Sequence, residues 1–292
     1  MKIIDCTSFY NEHMMYDLRL NILNEKVDKF IVTESTYSHS GNKKKLNFDI
    51  NNYPKFKDKI IYIVIDREPE GITPENNNPS LQRSNSLKRI ELSYNENLKA
   101  LKDVGDEDFI MLSDNDEIPN LDSKDFINNK DSIVIFNQLF FYYKYNLLYD
   151  KMLWPGTKGC KKKKLISLSW LRNLKNKRYP FWRLDTLFSN TKYTSLNIIK
   201  DGGWHFTNLK TPEEMYEKFL NFGHHDEFKL SDLTVKKIKE KITNKEMFYN
   251  HFADKTSANK WESNYKLKLI GDEMLPGFLI KNKYKYREWF SD

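Results

Sequence analysis

The segment Asp108–Pro119, DFIMLSDNDEIP, joins an apolar run directly to a group of acidic side chains. The run Phe109–Leu112 has the composition of a buried β-strand. The carboxylates of Asp114, Asp116 and Glu117 follow shortly after its end. Carboxylates crowded at the end of a strand repel one another and lose hydration unless a positive charge lies nearby. The segment therefore predicts a buried strand that ends at a cation-binding site.

Strand and helix patterns alternate through the first half of the chain. Strands are predicted at Lys2–Asp5, Asp28–Ser35, Lys59–Asp66 and Asp108–Asp116, with one long or two short strands at Asp131–Asn146. Helices are predicted at Met14–Val27 and Leu81–Leu101, and a loop at Glu68–Ser80. This alternation is typical of an open, mostly parallel α/β sheet flanked by helices.

The carboxyl ends of the predicted strands carry acids and hydroxyls. These polar strand ends are Asp5, Thr33–Ser35, Asp66 and Ser113–Glu117. In open α/β sheets, ligands bind beyond the carboxyl ends of the strands. We therefore expect the chemistry of the protein along this one edge.

The second half of the chain is less regular. Leu165–Leu171 is compatible with a strand. Pro212–Gly223 predicts a helix with Thr211 as its N-cap, and Ser231–Ile242 predicts a basic amphipathic helix. A domain break near Lys151–Lys164 is compatible with the pattern. One continuous domain with a C-terminal helical elaboration is the favoured interpretation.

The composition is that of a soluble globular protein. The 292 residues are 39% hydrophobic and 30% charged, which argues against a disordered chain. The net charge is +7, and the excess lies in the clusters Lys43–Lys45, Lys161–Lys164 and Lys236–Lys241. A basic surface suits anionic ligands, although runs of lysine are also common on solvated surfaces.

Cysteine content and apolar runs indicate the compartment. Two cysteines, Cys6 and Cys160, do not form a disulfide framework. No run approaches the roughly 20 apolar residues of a transmembrane helix, and the first residues lack the pattern of a signal peptide. We therefore expect a cytoplasmic protein.

Asp114 and Asp116 form an Asp-x-Asp pair. On a strand they share one face, and in a turn they can converge. Their hard oxygens suit Mg²⁺ or Mn²⁺, and an ion held by two protein acids keeps coordination positions for a diphosphate. Such an ion stabilises a leaving nucleoside diphosphate. The same residues also fit a plain polar turn, in which Asp and Asn are common.

Two later segments add candidate ligands. In Asp201–Asn208, DGGWHFTN, two glycines allow close backbone approach, and His205 fits a metal ligand, a diphosphate contact or a packed core residue. The segment FGHHDEF contains His224, His225, Asp226 and Glu227. This cluster fits a base, a metal ligand or a helix stop.

The Walker, Gly-x-Gly-x-x-Gly, Gly-x-Ser-x-Gly and His-Glu-x-x-His motifs are absent, which argues against several common enzyme classes.

Taken in order, these segments resemble glycosyltransferase family 17. The resemblance rests on Phe9–Phe48, Leu81–Asn85 (LQRSN), Ser113–Pro119 (SDNDEIP), Gly202–Phe206 (GGWHF) and Phe222–Phe228. A weaker echo follows at Leu275–Phe290. The joint presence of these motifs is specific, whereas each motif alone is not.

The resemblance implies a GT-A fold, a UDP-sugar donor (UDP-GlcNAc by analogy), Mn²⁺ or Mg²⁺, and inversion at the anomeric carbon. We expect a single domain over residues 1–292, with a nucleotide-sugar-binding half at about 1–120 and an acceptor-side, C-terminal helical half at about 121–292. The expected acceptor is a glycan or a lipid-linked glycan. Mammalian members carry a membrane anchor that this sequence does not show, so we expect a bacterial, phage or viral glycan-assembly role.

The resemblance also implies metal-binding roles for particular residues. Asp116 is expected to be the main metal ligand. Asp114 is expected to hold the metal directly or through water, or to bind the ribose. His205 is expected to be the third protein contact.

Four further residues are expected to bind the nucleotide. Arg83 and Asn85 are candidates for contact with the diphosphate or the uracil, since arginine offers a bidentate fork to phosphate. Thr33 and Glu34, at a strand end, are candidates for holding the nucleoside.

Inversion also needs a general base for the acceptor hydroxyl. Glu117, Asp201 and Glu227 all have suitable chemistry. Asp201 ranks below the others because the human family member has no matching acid. Glu227 is the first choice because it lies in a polar cluster beyond the His205 segment. Glu117 also suits a structural role, anchoring its loop by accepting backbone hydrogen bonds.

Two other classes of function compete with this interpretation. One is a catalytically inactive carbohydrate-binding protein, which the intact acidic pair and His205 argue against. The other is a metal-dependent phosphodiesterase or nuclease, which predicts salt-sensitive binding to polynucleotide. No basic stripe interleaved with aromatic residues supports it, so we expect no nucleic-acid partner.

The basic helix at Ser231–Ile242 suits peripheral contact with an anionic membrane.

Overall fold

The computed structural model describes residues 1–74, 78–130, 133–175, 179–180, 182–186, 188–192, 195–223, 225–228, 231–253 and 258–292. Within them the strands are β1 (Ile3–Ser8), β2 (Lys29–Ser35), β3 (Ile60–Ile65), β4 (Phe109–Ser113), β5 (Glu117–Pro119), β6 (Ile133–Tyr142), β7 (Leu147–Leu148), β8 (Trp154–Lys161), β9 (Asn197–Ile199), β10 (Gly203–Thr207) and β11 (Lys268–Leu269). The α-helices are α1 (His13–Leu23), α2 (Pro79–Asn95), α3 (Lys124–Ile127), α4 (Leu168–Asn173), α5 (Pro212–Asn221), α6 (His225–Phe228), α7 (Val235–Thr243) and α8 (Gly277–Lys281).

The N-terminal part of the sheet is parallel, as the sequence predicts. The strands are ordered β3–β2–β1–β4, and each neighbouring pair is parallel. β4 is buried along its whole length. Met111 belongs to the same apolar cluster as Met15 of α1, whereas Ile110 belongs to a cluster with Leu168 of α4. Burial on both faces explains the continuous apolar sequence of this strand.

An antiparallel strand continues the sheet beyond β4. β8 lies between β4 and β6 and is antiparallel to both, so the candidate domain break falls inside the sheet. The sequence pattern does not indicate this strand, because it contains Pro155, Gly156 and Gly159, which are residue types that strand interiors disfavour. Packing explains the glycines, because a Cβ at Gly156 would lie 2.0 Å from the Gln138 Oε1 and one at Gly159 would lie 2.5 Å from the Phe109 ring.

β6 is one long strand whose two halves have different partners. Its first half pairs with β8 and β9, and its second half pairs in parallel with β10. Gly202 and Gly203 make the step between β9 and β10. Gly203 has a φ of +106°, and a Cβ there would lie 2.3 Å from the Ile118 carbonyl oxygen. The glycine therefore lets β10 pair with β5, which places His205 opposite Glu117.

Two predictions for the second half are confirmed and one is wrong. Helix α5 begins after Thr211, which forms a complete capping box with Glu214. Helix α7 begins inside the predicted basic segment and ends one residue beyond it. The predicted strand at Leu165–Leu171 instead contributes to α4, because the Ser167 side chain caps this helix by accepting a hydrogen bond from the Trp170 amide.

The basic helix α7 packs its apolar side into the protein. Ile238 is fully buried, whereas Lys236, Lys237 and Lys239 are exposed. The apolar face therefore contributes to the core and leaves the lysines at the surface. Among the helices that the structure describes, none combines the length and the apolar character needed to cross a membrane.

We expect Gly203→Ala to lower the free energy of unfolding by about 2–3 kcal/mol, because alanine is strained at this positive φ and its Cβ would meet backbone atoms. Urea denaturation measures the change. Gly277→Ala is the matched control, since a Cβ at this first residue of α8 meets no atom within 4 Å. Equal stability of the two variants would contradict the account of the β9–β10 step.

Candidate active site

A cavity of about 1020 Å³ lies at the carboxyl ends of the parallel strands. Ser8 of β1, Thr33 of β2 and the turn Asp114–Asp116 after β4 all line it. The basic side chains in the lining are Lys44, Arg83, Lys158, Arg172, Lys175 and Lys218, and the acidic ones are Glu12, Glu91, Asp114 and Asp116. This is the edge of the sheet at which the sequence predicts the chemistry.

The acidic pair lies in a tight turn between β4 and β5. The Glu117 amide donates a hydrogen bond to the Asp114 carbonyl (3.1 Å), and the Glu117 carboxylate accepts one from the Asp114 amide (3.1 Å). The Phe206 amide of β10 donates to the Asp116 carbonyl at 2.8 Å. The turn is therefore fixed at both ends, so that Asp114 and Asp116 both reach the cavity.

Arg19 of α1 supports this turn from below. It is completely buried, as is Asp5, and its Nε and Nη2 donate to the two Asp5 carboxylate oxygens at 2.7 and 2.5 Å. Its guanidinium also donates to the Ser113 Oγ (2.8 Å) and to the Glu117 carbonyl. The expectation that Asp5 ends a strand at the functional edge is wrong, because β1 continues to Ser8 and Asp5 lies beneath the site.

Asp114 has a partner for each carboxylate oxygen. Its Oδ1 accepts a hydrogen bond from the Tyr94 hydroxyl (2.8 Å), and its Oδ2 pairs with Nη2 of Arg172 (2.6 Å). Burial raises the pKa of this carboxyl, but the Arg172 charge and the hydrogen bonds from Tyr94 and Arg172 together outweigh burial and hold the pKa below its usual value. Asp114 is therefore ionised and neutralised by the chain itself.

The Asp116 carboxylate has fewer partners than that of Asp114. Its Oδ1 lies 3.4 Å from the His205 Nε2, and the structure gives its Oδ2 no side-chain partner among the described residues. Burial raises the pKa of the Asp116 carboxyl, but the nearby His205 more than offsets this effect and holds the pKa well below its usual value. Asp116 therefore offers an ionised oxygen to the cavity.

His205 lies behind Asp116 and is not part of the cavity lining. Its ring stacks on Phe140 and lies against Trp154, with ring centroids 4.7 Å apart in both cases. It is buried, and its Nδ1 has no hydrogen-bond partner among the described residues. His205 is therefore packed in the core, as one of the sequence interpretations has it, and it also contacts an acid of the site. Its assignment as a metal contact stays a prediction.

The four predicted nucleotide contacts occupy different positions. Thr33 and Arg83 line the cavity, and Arg83 also donates to the Gly223 carbonyl. Glu34 lies outside the lining and accepts hydrogen bonds from Lys44, Tyr62 and the backbone amides of Asn47 and Phe48. Asn85 is also outside the lining. Its side chain accepts a hydrogen bond from the Thr73 amide and donates one to the Thr73 carbonyl. In this structure, Glu34 and Asn85 therefore hold loops in place.

None of the three predicted bases lines the cavity. Glu117 is fully buried, and its carboxylate accepts from the Trp154 Nε1 (2.7 Å) as well as from the Asp114 amide, which matches the anchoring role. Burial and the Asp114 charge raise its pKa. Asp201 is exposed and accepts from the Asn120 side chain.

The third candidate base, Glu227, belongs to helix α6. Its carboxylate pairs with the Lys260 Nζ at 2.5 Å. His224 and the Asp226 side chain of the same predicted cluster lie outside the described residues, and His225 is buried against the Phe222 carbonyl. The assignment of the base among the three acids stays a prediction.

Sequence reasoning missed three cavity residues that contact the acidic turn or its partners. These are Trp154, which bonds Glu117, Arg172, which pairs with Asp114, and Lys158, which donates to the carbonyls of Arg172 and Leu174 at 2.5 and 2.7 Å. Burial lowers the pKa of Lys158 to about 7. The Ser167 cap and the leucine spacing could have indicated the helix that carries Arg172, but its position beside the turn follows only from the fold.

Comparison with known proteins gives a consistent assignment. The model of glycosyltransferase family 17 matches residues 1–290. The chain is 22% identical over 243 residues to the human and rat β-1,4-mannosyl-glycoprotein 4-β-N-acetylglucosaminyltransferases, a match that covers 77% of this chain and 44% and 43% of those proteins. It therefore spans less than half the length of these relatives.

A solved structure of the inositol-1-phosphate CTP transferase from T. maritima is also similar, with a TM-score of 0.34 and 10% identity over 82% of this chain and 97% of that chain. A TM-score this low does not bear on function.

The α/β sheet with an acidic turn at its carboxyl edge and the family match together place the chain in a class of glycosyltransferase families. More particularly, the chain belongs to glycosyltransferase family 17.

We expect Glu117→Gln to lower the free energy of unfolding by about 1–3 kcal/mol, because the new amide group cannot accept from both the Trp154 Nε1–H and the Asp114 N–H. Chemical denaturation measures the loss. Asp201→Asn, a change of the same type at an exposed candidate, should leave stability unaltered. Full stability of Glu117→Gln would show that Glu117 does not anchor the turn.

Proposed function

We propose that the protein is a metal-dependent, inverting glycosyltransferase that moves a sugar from a UDP-sugar to a hydroxyl of a glycan acceptor. The observation that carries the proposal is Asp116, which lines the cavity at the carboxyl edge of the sheet, lies beside His205 and keeps one carboxylate oxygen without a side-chain partner among the described residues. The names of the human and rat relatives support GlcNAc as the transferred sugar.

The residues fit a divalent cation that shares its coordination with the donor. No group of three or more His, Cys, Asp and Glu side chains in the described ranges could hold a metal ion. Asp116 would therefore hold Mn²⁺ or Mg²⁺ together with diphosphate oxygens and water, an arrangement that suits these ions. As long as both of its oxygens keep their present partners, Asp114 would contact the ion through water. When bound, the ion neutralises charge on the leaving diphosphate.

The chain itself supplies binding and orientation. The cavity volume lies at the upper end of the range for ligand pockets, which leaves room for a nucleotide sugar and an acceptor hydroxyl. Arg83, Lys175 and Lys218 line it and favour an anionic donor. Trp154 also lines it beside the acidic turn and offers an aromatic surface to a sugar ring. These contacts would hold the donor in the orientation that a single displacement needs.

The test is ligand-dependent thermal stability, followed by release of UDP. With Mn²⁺ present, UDP at 100 times its Kd should stabilise the wild-type protein by about 2.7 kcal/mol. GDP and CMP should have smaller effects, and EDTA should abolish the UDP effect. Asp116→Asn should lose the Mn²⁺-dependent part, because it removes the ionised oxygen offered to the cation. With UDP-GlcNAc and Mn²⁺, the wild-type protein should release UDP, and Asp116→Asn should not.

Asp122→Asn serves as the control, because it removes an exposed carboxylate that lies outside the cavity lining and is not a candidate base. It should keep both the stabilisation by UDP and the UDP release. Stabilisation by UDP that persists in EDTA and in Asp116→Asn would contradict metal dependence. Stabilisation by free glycans and by no nucleotide would instead identify a carbohydrate-binding protein.

A further inference from the structure

Arg172 is placed differently from the other basic residues of the cavity. It belongs to the last turn of α4, its side chain is 24% exposed, and it contacts Asp114 at 2.6 Å and the Glu117 Oε1 at 3.9 Å. Its Nε is buried and has no hydrogen-bond partner among the described residues. Arg172 thus lines the cavity and keeps one N–H that no group of the described residues accepts.

Two other cations in the lining are committed to structural contacts. Lys158 donates to two backbone carbonyls at the end of α4, at 2.5 and 2.7 Å. Lys44 pairs with the fully buried Glu34 at 2.5 Å. Moving Lys158 would take a donor from two backbone carbonyls, and moving Lys44 would leave a fully buried carboxylate without its counter-charge, which is costly in both cases. Arg172 is less constrained, because the Asp114 side chain is 33% exposed in the cavity lining and keeps the Tyr94 hydroxyl as a partner, so that water or a cation replaces the guanidinium when it leaves.

The backbone of Arg172 is nevertheless well fixed. Ser169 of α4 donates from its amide to the Asn95 Oδ1 (3.0 Å) and from its hydroxyl to the Glu91 Oε1 (3.1 Å), which ties α4 to α2. Ser167 caps the start of the helix. A change of partner at Arg172 therefore requires only side-chain rotation from a fixed position.

We propose that Arg172 is a diphosphate-binding residue and that it exchanges Asp114 for the donor diphosphate when the nucleotide binds. This inference rests on the proposed function. The planar guanidinium matches phosphate oxygens through two parallel hydrogen bonds. The exchange frees the Asp114 Oδ2 as negative charge enters the cavity, and this oxygen then faces the cation. Arg172 therefore competes with the cation for Asp114 when no nucleotide is present.

The test compares Arg172→Gln with wild type in two binding measurements. Isothermal titration calorimetry with Mn²⁺ present measures the affinity for UDP and for uridine. The UDP affinity of Arg172→Gln should be lower than that of the wild type by about tenfold or more, because charge-assisted hydrogen bonds to phosphate are lost. Its uridine affinity should be unchanged. Without nucleotide, the same variant should bind Mn²⁺ more tightly than the wild type, since Asp114 is no longer paired. The electron paramagnetic resonance signal of free Mn²⁺ measures this affinity.

Two further variants complete the design. Arg67→Gln is the matched control, because Arg67 pairs with Glu96 outside the cavity lining, and it should change none of these affinities. Arg172→Lys keeps the positive charge but not the planar fork, and it should lose part of the UDP affinity while keeping uridine affinity. This second variant tests the inference if Arg172→Gln does not fold.

The outcomes separate this inference from the proposed function. Equal losses of UDP and uridine affinity, or weaker Mn²⁺ binding in Arg172→Gln, would show that Arg172 only supports the turn and would overturn the inference. Unchanged UDP affinity would overturn it as well. Failure of the wild-type protein to bind UDP with Mn²⁺ would instead contradict the proposed function.

Discussion

Arg19 is completely buried, and its guanidinium joins α1 to β1 and to both ends of the acidic turn. Burying an ion pair costs several kcal/mol per ion, and the cost is offset only when the remaining donors also find partners. Here they do, because the guanidinium contacts Asp5, the Ser113 hydroxyl and the Glu117 carbonyl. The turn that carries Asp114 and Asp116 is thus held from beneath by a group that cannot shift without leaving a charge unpaired.

The turn concentrates three carboxylates, and the fold gives each one a different environment. Asp114 is neutralised by Arg172 and bonded by Tyr94, Glu117 is enclosed and bonded by Trp154, and Asp116 lies beside His205 with one oxygen toward the cavity. Repulsion is therefore reduced before any ligand binds. The remaining capacity for a cation is concentrated on Asp116, which makes the two acids of the Asp-x-Asp pair unequal.

The sequence predicts the parallel half of the fold well, because its strands are continuous apolar runs and its helices have regular spacing. The edge of the sheet, the acidic pair and the segment carrying His205 follow from the same patterns. The strand β8 could not be predicted, since its sequence contains Pro155 and two glycines, and Gly156 and Gly159 are explained only by side chains packed across the sheet. The roles of Glu34 and Asn85 in holding loops also depend on contacts that the sequence pattern does not show.

The central claim is that a cation at Asp116 and a diphosphate complete the acidic turn. The most direct measurement is a crystal structure of the protein with UDP and Mn²⁺, with anomalous diffraction to locate the manganese. The account predicts an anomalous peak within coordination distance of an Asp116 oxygen and of both phosphate groups. Ordered UDP in the cavity without a manganese peak beside Asp116, or UDP bound at another surface, would contradict it.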